Sequence, residues 1–282
     1  MNIPVKTSVL GVGLTHDTSE NILEYVVDLV ENSKKKSFIV TPNPEMIVAT
    51  QKSPTLQKLL NSADLALCDG TGLYLASYLV ARGVPERIAG VDFMKSLCEN
   101  VSKKPISIGF LGGGPNVAEE AAECLLSLYP TLKVVFVGEK WGEEGFNWNA
   151  KNQELPQGHY LLRRVAGIRN NGEKNKKKNA EAPNSKFIIP NSKEIDILFV
   201  AFGFPKQEQW IAEHLEKLPI RVAMGVGGAF DYLSGRVSRA PFFLRSLGLE
   251  WLYRLVRQPW RIKRQLALVE FTGLVLKAKF AK

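Results

Sequence analysis

The sequence predicts an α/β fold: a Rossmann-like, mostly parallel sheet with helices on both faces, followed by a C-terminal helical appendage. Three observations predict it. Short β-branched runs alternate with amphipathic stretches of about 10–15 residues through the first two-thirds of the chain, the pattern of parallel strands joined by helices. Several runs end in glycine- or proline-containing turns that open a helix, at 41–45, 69–72, 109–116 and 203–210. After Pro241 the strand pattern stops, and aromatic residues recur among arginines at near-helical spacing.

In chain order, Val5 to Val12 reads as a strand and Ser19 to Asn32 as a helix. Phe38 to Val40 is a short buried strand, and Met46 to Ser62 is helical with a break before Pro54. Leu65 to Cys68 is a strand, followed by helices at Gly70 to Ala81 and Val91 to Val101. Ile106 to Leu111, Asn116 to Leu128 and Val134 to Gly138 read as strand, helix and strand. Ile195 to Phe202, Lys206 to Leu218 and Val222 to Val226 repeat that order. Between the two units, residues 147–191 are rich in Asn, Lys and Gly, bury little apolar surface, and read as a disordered insertion. Residues 1–240 thus form the core and 241–282 the appendage, which Pro259 divides into two amphipathic helices.

Composition narrows the function. The chain has 282 residues, 45% hydrophobic content and a net charge of +9. Cys68, Cys98 and Cys124 are widely spaced, with no CxxC pair or Cys/His cluster, which argues against a disulfide framework or a structural zinc and fits a reducing cytoplasm. No signal peptide precedes the first strand, and no apolar run approaches the roughly 20 residues of a spanning helix. From Arg236 onward only Glu250 and Glu270 oppose eleven basic residues, so the appendage is built to meet something anionic. Aromatics beside arginines on amphipathic helices suit an anionic membrane surface, or else a helical hairpin packed on the body.

Ligands of open parallel sheets bind where strands end and helices begin. Thr41-Pro42-Asn43-Pro44-Glu45 presents two hydrogen-bonding side chains, although Asn43 before Pro44 equally fits a helix N-cap. Asp69, at a strand tip before Gly70-Thr71-Gly72, is either a general base for a sugar hydroxyl or a helix cap. Gly112, Gly113 and Gly114 form either a tight turn or a phosphate cradle of backbone N–H groups, with no GxGxxG fingerprint and no acidic ribose partner evident. Lys206, Gln207 and Glu208 open a helix at the sheet edge with three long polar side chains. Arg87 holds a phosphate or pairs with Glu86 or Asp92. No histidine pairs with a Ser or Cys nucleophile, and no DxD motif is present.

These blocks, in this order, resemble the WecG/TagA/CpsF glycosyltransferases. The matching text is Thr41-Pro42-Asn43, Asp69-Gly70-Thr71-Gly72, 85–92 (PERIAGVD), 110–113 (FLGG), 203–208 (GFPKQE), 225–231 (GVGGAFD) and 250–255 (EWLYRL). The resemblance implies an inverting transfer from a UDP-sugar to an undecaprenyl-diphosphate-linked amino sugar, without a metal or other cofactor. It implies Asp69 as general base, with Thr41, Asn43, Arg87 and Gln207 lining the pocket and Lys206 and Glu208 beside them. The glycine loop would approach the UDP diphosphate. The appendage would dock on the inner face of the plasma membrane and bring in Arg254, Arg261 and Arg264. The insertion either influences a homo-oligomer or is a passive loop. An NAD-type oxidoreductase would need a glycine fingerprint that 11–16 (GVGLTH) lacks, and a nucleic-acid-binding protein would need a recognition motif beside its charge, so no nucleic-acid partner is expected.

Overall fold

The computed structural model describes residues 4–139 and 194–281. The expected insertion at 147–191 lies outside the described residues.

Val5 to Val12 is not one strand: β1 (Lys6–Val9) and β2 (Val12–Thr15) form an antiparallel hairpin. Leu10 and Gly11 make its two-residue turn with φ of 50° and 82°, the left-handed pair that matches strand twist. Leucine rarely adopts this conformation, which is why the turn was hidden in a β-branched run.

Helix α1 (Ser19–Asn32) starts at an N-cap hydrogen bond from Asn21 N–H to Thr18. It leads to β3 (Ser37–Val40), then α2 (Pro44–Lys52) and α3 (Pro54–Ser62), each with a proline in its first turn and a capping Asn43 or Ser53 before it. Next come β4 (Leu65–Ala66), α4 (Thr71–Val80) and α5 (Gly90–Val101). The second half holds β5 (Ser107–Gly112), α6 (Val117–Leu128), β6 (Lys133–Gly138), β7 (Ile195–Ala201), α7 (Lys206–His214), β8 (Ile220–Gly225) and the short α8 (Ala229–Leu233). The appendage contains α9 (Phe242–Ser246), α10 (Glu250–Arg257), a 3₁₀ turn at Pro259–Arg261, and α11 (Ile262–Phe280).

Six strands form a parallel sheet in the order β4-β3-β8-β7-β5-β6. Side chains alternate across it. Ile197 and Phe199 of β7 join a core with α1, α5, α6 and α8, whereas Leu198 and Val200 join a core with the hairpin, α2, α3, α4, α7 and α11. From β5 the chain proceeds outward to β6, and from β7 it proceeds the other way to β8. The crevice between β5 and β7 is therefore the topological switch point, where such sheets bind ligands.

The appendage has two characters. Phe271 and Val275, one helical turn apart on α11, are buried in the second core. Burying side chains of this kind contributes about 1.5–3 kcal/mol each, so the end of the chain belongs to the body. Earlier residues face outward: Phe242, Phe243, Trp251, Val256 and Trp260 are exposed, Trp260 by 73%. No helix among the described residues is long and apolar enough to cross a membrane.

Candidate functional site

The C-terminal ends of the strands carry two clusters. The first is a cleft of about 490 Å³ lined by Gly113, Gly114, Glu139, Phe202, Gly203, Gly227, Gly228, Asp231 and Arg254, among others. It lies at the switch point. Gly113 N–H donates to Ala201 O at 3.0 Å, tying the loop after β5 to β7. Gly112 has φ +103° and Gly113 +86°. A Cβ on Gly112 would stand 2.9 Å from the Ala201 carbonyl carbon, and one on Gly113 2.8 Å from Val117 Cγ1, so side chains are excluded from the loop. Beyond it, Gly114 faces open space.

Gln207 braces the other two loops. Its Oε1 accepts from Gly203 N–H at 3.1 Å and from Gly227 N–H at 3.0 Å. Its Nε2 donates to Glu208 Oε1 at 2.8 Å. Both side chains are buried, and Glu208 Oε2 has no hydrogen-bond partner among the described residues. Burial pushes the Glu208 carboxyl up to about 6. Gln207 and Glu208 thus sit beneath the cleft, with Gln207 tying the loops after β7 and β8, whereas Lys206 stands exposed on the first turn of α7. Because Gly203 and Gly227 give their N–H groups to Gln207, the cleft-lining N–H groups without a partner among the described residues include those of Gly114 and Gly228.

Arg254 supplies the cation here. Its guanidinium stacks over Tyr232 at 5.0 Å, and a Cβ on Gly228 would meet its Nη2 at 3.2 Å. Its Nε is buried without a partner among the described residues. The side chains of Arg261 and Arg264 lie outside the described residues.

The second cluster surrounds Asp69, just past β4. Asp69 N–H donates to Pro42 O, and Ile88 N–H to Cys68 O, both at 2.9 Å, so two neighbouring loops hold the strand tip. Asp69 keeps partial exposure. Its carboxyl is nevertheless pushed up to about 6, chiefly by burial and further by the charges of Glu250 and Asp92. A hydrogen bond from the Gly90 backbone and the charge of Arg87 oppose this rise. Thr41 is buried and donates through Oγ1 to Gly225 O at 3.3 Å. Asn43 caps α2, with Oδ1 accepting from Met46 N–H at 3.0 Å, and its Nδ2 has no partner among the described residues.

The two acids proposed for Arg87 are taken elsewhere. Asp92 is held bidentately by Arg239, and Glu86 accepts from Ser19 N–H at 2.7 Å. Arg239 also reaches Glu250 at 3.3 Å. Arg87 instead donates to Arg245 O at 3.3 Å, across the boundary with the appendage. A Cβ on Gly248 would lie 2.4 Å from Thr71 Oγ1, so the appendage lies flush against the start of α4 and covers the Asp69 end. It also reaches the glycine end through Arg254.

Sequence reasoning missed Glu139 and Asp231 as cleft residues. The available signal was the strand–turn–helix order: Glu139 directly follows β6, and Asp231 lies in the helix after β8.

The chain matches the family model described as the glycosyl transferase WecG/TagA/CpsF family over residues 7–155 and 154–282. It is similar to the N-acetylglucosaminyldiphosphoundecaprenol N-acetyl-beta-D-mannosaminyltransferase of Bacillus spizizenii, 32% identical across 87% of this chain and 81% of the relative. The enzymes of the same description from Bacillus subtilis and Staphylococcus aureus are 29% and 28% identical, covering 91% and 97% of this chain and 86% and 93% of theirs. With the match running across both halves of the sheet and the appendage, the chain belongs to the WecG/TagA/CpsF family of glycosyl transferases.

Proposed function

We propose that this glycosyltransferase moves N-acetylmannosamine, or a related hexose, from its UDP-sugar to an undecaprenyl-diphosphate-linked GlcNAc acceptor, with inversion and without a metal. The named relatives act on GlcNAc-diphosphoundecaprenol. The observation that carries the reading is a raised carboxyl, Asp69, on the same sheet edge as a glycine-lined cleft with an arginine at its wall. β4 lies three strand positions from β7, about 14 Å at 4.7–4.9 Å per strand, a span suited to an extended sugar diphosphate.

In this reading Asp69 removes the proton of the acceptor hydroxyl, whose oxygen attacks the anomeric carbon from the face opposite UDP. The bond from that carbon to the phosphate oxygen breaks, and its electron pair leaves with the diphosphate. Arg254 and the N–H groups of Gly114 and Gly228 meet that charge, the role a metal ion fills elsewhere. The exposed aromatics of α9 and α10 rest on the anionic inner face of the plasma membrane, where the acceptor resides.

The test is transfer from a panel of UDP-sugars to a polyprenyl-diphosphate-GlcNAc acceptor, read by mass, with and without chelator. UDP-N-acetylmannosamine should give product at a rate that EDTA leaves unchanged. No product from any UDP-sugar would overturn the reading, and abolition by EDTA would overturn its metal-free part.

A further inference from the structure

We propose that Glu139 binds the ribose hydroxyls of the nucleotide donor and makes the enzyme discriminate ribonucleotides from 2′-deoxyribonucleotides. The inference rests on the nucleotide-sugar reading of the cleft and adds a residue to it.

The loop at Gly112–Gly114 joins β5 to α6, and α6 leads to β6, which lies beside β5 in parallel. Glycine loop, helix and neighbouring strand form one βαβ unit at the edge of the switch-point crevice. In sheets of this class the phosphates rest at the start of the helix, while an acid at the tip of the second strand takes the ribose hydroxyls. Glu139 is the first residue beyond β6 and lines the same cleft as Gly113 and Gly114.

The chemistry agrees. Glu139 Oε1 accepts from Asn116 N–H at 3.1 Å, which holds the carboxylate beside the exit of the glycine loop. Oε2 has no hydrogen-bond partner among the described residues. A carboxylate repels a diphosphate but accepts readily from the two hydroxyls of a ribose. The cleft therefore sorts an extended ligand by chemistry, with Arg254 at one wall for phosphates and Glu139 at another for a neutral diol. Asp231, the other carboxylate of the cleft, belongs to the Arg254 side: its Oδ2 lies 3.4 Å, and Arg254 Nη2 3.2 Å, from where a Cβ on Gly228 would stand.

The test compares the affinities of UDP and 2′-deoxy-UDP for the full-length protein by calorimetry. The unaltered protein should prefer UDP by about tenfold or more, the worth of a hydrogen bond to a charged acceptor. Glu139→Ala should bring UDP to the 2′-deoxy-UDP level while leaving 2′-deoxy-UDP within about twofold of its original affinity. Glu139→Gln, which still accepts from Asn116 N–H, should retain part of the preference. Equal weakening of both nucleotides by Glu139→Ala would mean that the side chain only braces the loop, and would overturn the proposal. So would a preference untouched in Glu139→Ala, or one lost in Asp231→Asn instead. If the unaltered protein binds neither nucleotide, the UDP reading itself fails; if it binds both equally, only the ribose assignment does.

Discussion

The two ends of the sheet edge are built from different materials. At the glycine end the walls are largely backbone: the loops after β7 and β8 are tied together by Gln207, and the loop after β5, stripped of side chains at Gly112 and Gly113, is tied to β7 through Gly113 N–H. At the acid end the candidate groups are side chains, Asp69, Arg87 and Asn43, set in loops held by backbone hydrogen bonds and covered by the appendage. The first arrangement suits holding a fixed charge distribution, because oriented N–H dipoles need no rearrangement. The second suits moving a proton, because a carboxyl's affinity for it is set by burial and neighbouring charge. Mutations should therefore fail differently at the two ends.

The largest expected effect is at the acid end. Asp69→Asn keeps shape and removes the proposed base, so kcat should fall by about 10²–10⁴ while UDP affinity stays within about twofold. Gly113→Val should do the reverse, since its side chain would be forced onto Val117 at a left-handed φ. There KM for the donor and the Kd for UDP should rise together, more than kcat falls. Steady-state kinetics with both substrates varied, beside UDP titration, separates the two. An Asp69→Asn variant with unaltered kcat would remove the distinction.

A smaller effect should come from the appendage, which touches both ends through Arg245 and Arg254. Trp251 and Trp260 are 43% and 73% exposed, and neither lines the glycine cleft. Replacing both by Ser should lower co-sedimentation with anionic vesicles by about an order of magnitude, since each aromatic face carries an apolar contact of order 1 kcal/mol or more. Transfer to a short-chain, water-soluble acceptor should be unaffected. Unchanged vesicle binding would leave the exposed aromatics without a role.

Much of this architecture was legible locally. The alternation of β-branched runs and amphipathic stretches located the sheet, and Pro54 and Pro259 located breaks, because these signals act within a few residues. What stayed hidden depends on contacts distant in sequence. Nothing local says that β8 and β7 insert between β3 and β5. Asp92 finds Arg239, 147 residues along the chain, rather than the nearby Arg87. Gln207 and Glu208 read as polar groups of a first turn, yet the close approach of the loops at Gly225 and Gly227 encloses them. Asn43 could be read either way, and its cap bond, accepted from Met46 N–H by Oδ1, leaves Nδ2 without a partner among the described residues.

The subtlest prediction turns the acid end into a stability measurement. Asp69 is held near 6 rather than 3.8, first by burial and then by Glu250 and Asp92. An acid whose affinity for protons rises on folding keeps its proton longer in the native state than in the unfolded chain. Between about pH 4 and pH 6 the unfolded chain releases that proton first, so the native state loses stability as pH rises, and above pH 6 the penalty is complete. At 1.36 kcal/mol per pKa unit, discounted for a partly exposed group, the penalty is about 1–2 kcal/mol. Asparagine has no proton to lose. Asp69→Asn should therefore be more stable than the unaltered protein at pH 7.5 by about that amount, with the gap closing toward pH 4. Over the same range the kcat/KM of the unaltered enzyme should fall about tenfold per unit below pH 6, and Glu250→Gln should move that limb to lower pH by removing a like charge. If denaturant melts at pH 7.5 find Asp69→Asn no more stable than its parent, the carboxylate is not held against its own preference. The acid end would then be an ordinary strand tip, and the contrast with the glycine end would lose its physical basis.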